Sequence, residues 1–322
     1  MNIWRGLDNI PADLTSSVVS IGVFDGMHRG HKTLLDAAVK RADELEVPSI
    51  LLTFDPHPLA ILRPDRMPPL LASVERRAEL AAQEGIDFIL AMTFSVDKAQ
   101  LSPEDFFTEV LVNSLHARAV VVGENFTFGH NAEGTTKILQ DLGKKYGVEI
   151  YIKDLLGDDG ETICSTSIRR YLSCGEIRLA NHALGREFEV CGEVVRGAGR
   201  GGRELGYPTA NLYFPDSVAL PKDAVYAGWL RVISEAPIDG DMEHNTRYPA
   251  AISVGHNPTF GDKRRSVESF VIGRDADLYG HTVVVEFVDF VRDMETFSGI
   301  DELVATIDKD VAHTLDILNH SS

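Results

Sequence analysis

Five short apolar runs alternate with longer helix-patterned segments between Val18 and Ile152, and this alternation narrows the possible folds more than anything else in the chain. The runs are Val18–Phe24, Ile50–Phe54, Phe88–Met92, Ala119–Val122 and Val148–Ile152. Between them, helical periodicity falls near Thr33–Leu45, Val74–Ala82, Pro103–Leu115 and Thr135–Tyr146. A strand with one wet face alternates polar and apolar residues; a continuous apolar run implies burial on both faces. Such strands, separated by helices, predict an α/β doubly wound domain whose ligands bind beyond the carboxyl ends of a parallel sheet.

After Thr166 the rhythm changes. Two short helices are expected at Ser167–Ser173 and Glu176–Leu184. Short β-rich segments punctuated by Gly, Pro and Asn follow: Phe188–Val195, Val225–Ile233, Tyr248–Val254, Val267–Ile272 and Thr282–Val291. Several of these alternate polar with apolar, as antiparallel strands with one buried face do. Leu303, Val304, Ile307, Val311, Leu315 and Leu318 then form one apolar stripe at helical spacing. The second half therefore reads as a Greek-key antiparallel β-barrel with a C-terminal helix. At 322 residues the chain accommodates two domains, expected at 1–184 and 185–322.

Charge limits the partners. The formal net charge is −18, and both halves about Gly185 are acidic. Such a surface repels a nucleic-acid backbone, so small phosphorylated ligands held by local donor clusters are expected instead. No apolar run approaches the roughly 20 residues of a membrane helix, and the start Met1-Asn2-Ile3-Trp4-Arg5 has no export-signal pattern. Cys164, Cys174 and Cys191 are odd in number and lack metal-ligand spacing, which suits a reducing, cytoplasmic compartment. Oligomeric state is not legible.

The first run feeds Gly22-Val23-Phe24-Asp25-Gly26-Met27-His28-Arg29-Gly30-His31. Two histidines three apart stand where a strand passes into a helix, whose free amides favour negative charge. Gly26 and Gly30 let backbone approach a ligand, and two imidazoles suit a phosphate gaining charge in a transition state. Metal ligation and a merely polar surface turn are the competing readings. The first lacks a third nearby ligand, and the strand–turn–helix setting favours phosphate.

The second chemical stretch is Gly197-Ala198-Gly199-Arg200-Gly201-Gly202-Arg203-Glu204-Leu205-Gly206-Tyr207-Pro208-Thr209-Ala210-Asn211. Its literal G-x-G-x-x-G is not a dinucleotide fingerprint, because Gly206 and Pro208 prevent the helix that must follow. The glycines at 197–202 fit either a plain surface hairpin or a loop wrapping polyphosphate, with Gly199, Arg200 and Gly201 as donors. Thr209 and Asn211 present oxygens on one side of an extended segment, a donor set suited to Mg²⁺. Further on, alternation puts Glu268 on the face of Phe270 and Ile272. It is there either a structural ion-pair partner or a base of raised pKa.

The string GVFDGMHRGH resembles the His-x-Gly-His nucleotidylyltransferases, and more closely the adenylyltransferase half of the bacterial bifunctional riboflavin kinase/FAD synthetase family. Phe54-Asp55-Pro56-His57-Pro58, Gly123-Glu124-Asn125-Phe126-Thr127-Phe128-Gly129 and Ile163-Cys164-Ser165-Thr166-Ser167-Ile168-Arg169 extend the likeness. GRGGRELGYPTAN, Asn257-Pro258-Thr259-Phe260 and Leu278-Tyr279-Gly280 carry it through the second half. The resemblance implies a soluble enzyme that phosphorylates riboflavin to FMN and adenylylates FMN to FAD, with ATP and Mg²⁺ in both steps. It implies that His28 and His31 stabilise the α-phosphate, while Ser165, Thr166 and Arg169 hold the departing phosphates. Pro58, Asn125 and Phe128 would line the flavin side, Thr209 and Asn211 would hold Mg²⁺, and Glu268 would act as base. The chain departs from the family at Cys164, where a Ser is usual. A nucleotidylyltransferase with another phosphorylated acceptor leaves Thr209, Asn211 and Glu268 unexplained. A non-catalytic flavin-binding regulator has no need of His28, Arg169 and Glu268 together.

Overall fold

A computed structural model describes residues 3–158, 161–197, 206–256 and 265–320. The chain divides into two compact units, Met1–Ser165 and Thr166–Ser322.

The first unit is a six-stranded parallel sheet. Its strands are β1 (Ile3–Arg5), β2 (Ser17–Ile21), β3 (Ser49–Asp55), β4 (Phe88–Thr93), β5 (Ala117–Gly123) and β6 (Glu149–Lys153), in the spatial order β1-β4-β3-β2-β5-β6. The four inner strands β4, β3, β2 and β5 are buried on both faces over most of their length, as the continuous apolar runs require. One face packs Val19, Ile21, Leu52, Val120 and Val122 against Phe107, Leu111 and Leu139; the other packs Val18, Leu51 and Val121 against Leu35, Ala38 and Ala78. The chain steps from β2 outward through β3 to β4, then crosses back to lay β5 on the other side of β2. This reversal puts the switch point of the sheet at the carboxyl end of β2.

The flanking helices include α1 (Arg29–Leu45), α2 (Val74–Gln83) and α3 (Thr136–Tyr146). Ser73 caps α2 and Thr135 caps α3, each accepting a backbone N–H three residues on. The helical pattern expected over Pro103–Leu115 resolves into one α-turn, Pro103–Phe106, followed by a π-helical segment, Phe107–Ser114.

The second unit opens with α4, whose helix spans Ser165–Cys174, and α5 (Ile177–Leu184). Six antiparallel strands follow: β7 (Phe188–Glu193), β8 (Ala210–Phe214), β9 (Ala224–Val232), β10 (Tyr248–His256), β11 (Arg265–Val271) and β12 (Thr282–Asp293). Their order is β8-β11-β10-β9-β12-β7. Strands β9, β10 and β11 are successive neighbours and β12 returns beside β9, the Greek-key arrangement. A bridge from the Val195 N–H to the Asn211 carbonyl (3.0 Å) joins the two edges, so the barrel is nearly closed. Strand β8 begins within the Thr209–Asn211 stretch that is legible in sequence only as extended.

Helix α6 (Ile300–His320) lies on the outside of the barrel, where Ile317 and Leu318 cover Ala227. Arg292 on β12 grips Asp310 of this helix through Nε (2.8 Å) and Nη2 (2.7 Å). Helix α5 belongs to this unit on its contacts: the Asn181 amide donates to the Phe287 carbonyl (2.8 Å) and accepts from the Phe188 N–H (2.7 Å).

Candidate functional site

The switch point of the sheet carries the histidine turn. Beyond Ile21 the chain leaves β2 through Phe24, Gly26 and Met27, all with positive φ (54°, 82° and 43°). Positive φ strains a non-glycine residue, and here Phe24 and Met27 are held in it by near-complete burial. The turn delivers His28 as the N-cap of α1. Its Nδ1 accepts the His31 N–H (3.3 Å), so in the neutral ring the proton resides on Nε2. His31, one turn on, stacks on His28 with centroids 3.6 Å apart and planes 20° from parallel. His31 as a whole is half-buried, but its Nδ1 is enclosed and has no hydrogen-bond partner among the described residues. Burial chiefly, then the nearby His28 and Arg77, push the His31 pKa well below its ordinary value, so the ring is neutral at pH 7.

Gly30 is glycine for closeness: a Cβ there would stand 3.2 Å from the His28 ring and 3.4 Å from the Ile163 carbonyl. Beside this contact Ser165 donates to the Asp25 carbonyl (2.8 Å). Ser165 is therefore held on the turn that carries Gly26 and His28. Thr166 and Arg169 follow on α4, within the second unit.

The other loops of the first unit leave neighbouring strands at the same carboxyl edge. Beyond β3, His57 caps a one-turn helix, Pro58–Leu62, accepting the Leu59 N–H at Nδ1 (3.0 Å), and Pro58 is half-buried at its first position. Beyond β5, Asn125 is exposed, whereas Phe128 is a core residue between Phe126 (5.6 Å) and Phe106 (5.7 Å). The sheet thus brings the loops of His28, Pro58 and Asn125 together.

Two residues of this region carried no recognisable signal. Asp25 is 2% exposed and its carboxylate accepts the Leu71 and Ala72 N–H groups (2.9 and 3.1 Å). Arg77, on α2, is also 2% exposed and donates to the Val23 carbonyl and the Thr53 hydroxyl. An arginine in an amphipathic helix reads as a solvent residue, and only the fold shows this one turned inward.

In the second unit, Asn211 on β8 pairs directly with Glu268 on β11, which in turn pairs with Ser253 on β10. Cross-strand partners share a face, so Asn211, Glu268 and Ser253 form one row. Asn211 is 6% exposed. Its amide donates to the Thr209 carbonyl (2.8 Å) and hydroxyl (3.3 Å), leaving Oδ1 as its acceptor. Tyr207 stacks edge-on against Phe270 (5.1 Å) and donates to Asp308 of α6 (2.5 Å), which fixes the chain entering Thr209. Glu268 is partly buried, and desolvation raises its pKa against a weak opposing hydrogen bond from Ser266 (3.3 Å). Gly199, Arg200, Gly201 and the segment Asn257–Phe260 lie outside the described residues.

These donor sets can be tested against magnesium. No group of three or more His, Cys, Asp or Glu able to hold a metal occurs among the described residues. Two oxygens two residues apart fit an ion that keeps most of its waters and takes further oxygens from phosphates. The described residues contain no helix long and apolar enough to cross a membrane.

The comparisons agree with this division. Residues 10–167 match the FAD synthetase family and residues 184–318 the riboflavin kinase family. A protein of Escherichia coli strain K12, named bifunctional riboflavin kinase/FMN adenylyltransferase, is 31% identical over 96% of both chains. The chain belongs to that bifunctional family. A relative of the same name from Pseudomonas fluorescens is 32% identical, covering 97% of this chain and 96% of its own. Among solved structures, a Streptococcus pneumoniae protein titled macrolide-efflux protein superposes with a TM-score of 0.84 at 30% identity, covering 97% of this chain and 98% of its own.

Proposed function

We propose that the chain is a bifunctional flavin-cofactor enzyme, phosphorylating riboflavin to FMN and adenylylating FMN to FAD, with ATP consumed in each step. The observation that carries the reading is the presence of two distinct chemical centres. One is a stacked pair of imidazoles at a helix N-terminus. The other is a half-buried carboxylate paired across strands with an Asn whose acceptor oxygen has no hydrogen bond among the described residues. Residues 1–184 are taken as the adenylylating domain and 185–322 as the kinase domain.

In the kinase domain Glu268 removes the proton from the terminal ribityl hydroxyl of riboflavin. The oxygen attacks the γ-phosphorus of ATP, and ADP leaves. Desolvation raises the basicity of Glu268 toward what a general base at neutral pH requires. Thr209 and Asn211 would hold Mg²⁺, which when bound neutralises phosphate charge; Gly199, Arg200 and Gly201 would wrap the phosphates.

In the adenylylating domain an FMN phosphate oxygen attacks the α-phosphorus of ATP and pyrophosphate leaves. His28 and His31 donate to the α-phosphate, aided by backbone amides opened by Gly26 and Gly30. Ser165, with Thr166 and Arg169 further along its helix, serves the departing phosphates. Asn125 and Pro58 contact the flavin, and Phe128 backs that wall. No protein nucleophile is needed, since positioning and charge stabilisation carry an in-line transfer. A reducing cytoplasm suits Cys164, Cys174 and Cys191, none of which is in a disulfide.

The test is one incubation with riboflavin, ATP and Mg²⁺, resolving FMN from FAD. His28→Ala should stop FAD while FMN accumulates; Glu268→Ala should stop FMN from riboflavin yet still convert supplied FMN to FAD. Either substitution leaving both products unchanged removes that site from the scheme.

A further inference from the structure

The buried guanidinium of Arg77 is unusual in what it holds. Its Nη1 donates to the Val23 carbonyl (2.6 Å) and to Thr53 Oγ1 (2.7 Å), and its Nε reaches the Ser73 carbonyl (3.4 Å). Thr53 Oγ1 donates to the same Val23 carbonyl (2.9 Å). Val23 is the residue before the positive-φ turn, so Arg77 and Thr53 grip the chain where it leaves β2. The same stretch supplies a second grip, because Leu71 and Ala72, just ahead of α2, donate to Asp25 inside the turn. Strained backbone of this kind persists only where the surroundings over-determine it.

We propose that Arg77 is a positioning residue of the adenylylating site, fixing the Val23–Met27 turn and with it the stacked His28–His31 pair. The proposal rests on the reading of that pair as the α-phosphate site. Arg77 reaches no substrate in this account; it acts through the turn and through its fixed positive charge. The charged or titratable groups acting on the His31 ring are His28 on its own turn and Arg77 from α2. Asp25, Asp55 and Glu75 in turn act on Arg77. The fixed charge of Arg77 adds to the larger effect of burial in opposing protonation of His31, which keeps the ring neutral.

The full chain contains its own control, since riboflavin phosphorylation reports on the other domain. Arg77→Met should lower kcat for FAD formation from supplied FMN about 100-fold, the cost of a misplacement near 1 Å. FMN formation should stay within about twofold of its starting rate. In NMR titrations of histidine-labelled protein, assigned with His31→Gln, the His31 resonance should titrate at higher pH in Arg77→Met than in the parent. Arg77→Lys keeps the charge without the fork, so His31 should titrate near the parental pH while kcat still falls about tenfold. If Arg77→Met does not fold, Thr53→Val loosens the same grip and should cost about tenfold in FAD formation alone. Unchanged FAD formation in these variants, or a loss in Arg77→Met without movement of the His31 titration, overturns the positioning role. His28→Ala and His31→Ala separate the two claims: if they too leave FAD formation intact, the α-phosphate reading falls with it.

Discussion

Gly197 gives the sharpest probe of the kinase site. A Cβ at this position would lie 2.7 Å from Asn211 Oδ1 and 2.8 Å from its Cγ and Nδ2. Restoring an ordinary contact near 3.4 Å displaces the Asn211 side chain by about 0.7 Å. That side chain is short, 6% exposed and tied to the Thr209 carbonyl at 2.8 Å, so it has no slack to absorb the movement. Losing this hydrogen bond costs about 1 kcal/mol net, and up to about 3 kcal/mol if the buried amide is left unsatisfied. If the proposed metal geometry depends on Asn211, Gly197→Ala should therefore slow riboflavin phosphorylation roughly 5- to 150-fold. The assay is the initial rate of FMN formation across a Mg²⁺ titration, with FAD formation from supplied FMN as control. The half-saturating Mg²⁺ concentration should rise along with the loss of rate. In Asn211→Gly the added methyl has nothing to strike, so Gly197→Ala should cost little more in that background. A parental rate and Mg²⁺ dependence in Gly197→Ala would refute the argument, as would full additivity with Asn211→Gly.

The remaining expectations concern Glu268 and the helix that covers the barrel. If Glu268 is the base, the acid limb of FMN formation should lie above the ordinary carboxylate range, because burial raises its pKa, and Glu268→Gln should cost about 10²- to 10⁴-fold at neutral pH. A pKa raised on folding means that the folded state binds the proton more tightly. Stability contributed by protonated Glu268 is thus full below the unfolded pKa and is lost as pH rises through the folded one, a decrement that denaturation of Glu268→Gln should not show. Asp310→Ala strips a twofold hydrogen-bonded partner from Arg292 and should cost about 3 kcal/mol, lowering the melting transition of the second unit by roughly 8 °C in calorimetry.

The sequence was most informative where one element decides the outcome. Continuous apolar runs betray burial on both faces without any knowledge of neighbours, and β2, β3 and β5 stand close to where those runs fall. The place of the histidine pair at a strand-to-helix turn is likewise a local property of a short string. What the sequence could not convey is pairing between distant segments. Asn211 and Glu268 are cross-strand partners although 57 residues part them, and nothing in either segment specifies that register. Strand β1 is three residues long and is defined by its pairing with β4 rather than by any run of its own. Phe128 reads equally as a ring awaiting a ligand or a ring in a core; the proximity of Phe106 and Phe126 decides for the core. The π-helical stretch from Phe107 has the apolar spacing of an ordinary helix, so its widened turns leave no mark in the residues.

Among the described residues one isolated bridge, from Val195 to Asn211, joins the seam between β7 and β8. The residue that makes this bridge is thus the same residue whose amide side chain is proposed to hold the metal. If Asn211 holds the ion as proposed, a ligand that orders its side chain also orders that backbone bridge, so binding and closure of the wall are coupled. Saturating nucleotide should consequently slow hydrogen exchange along both seam strands, a protection that grows with the logarithm of concentration above the dissociation constant.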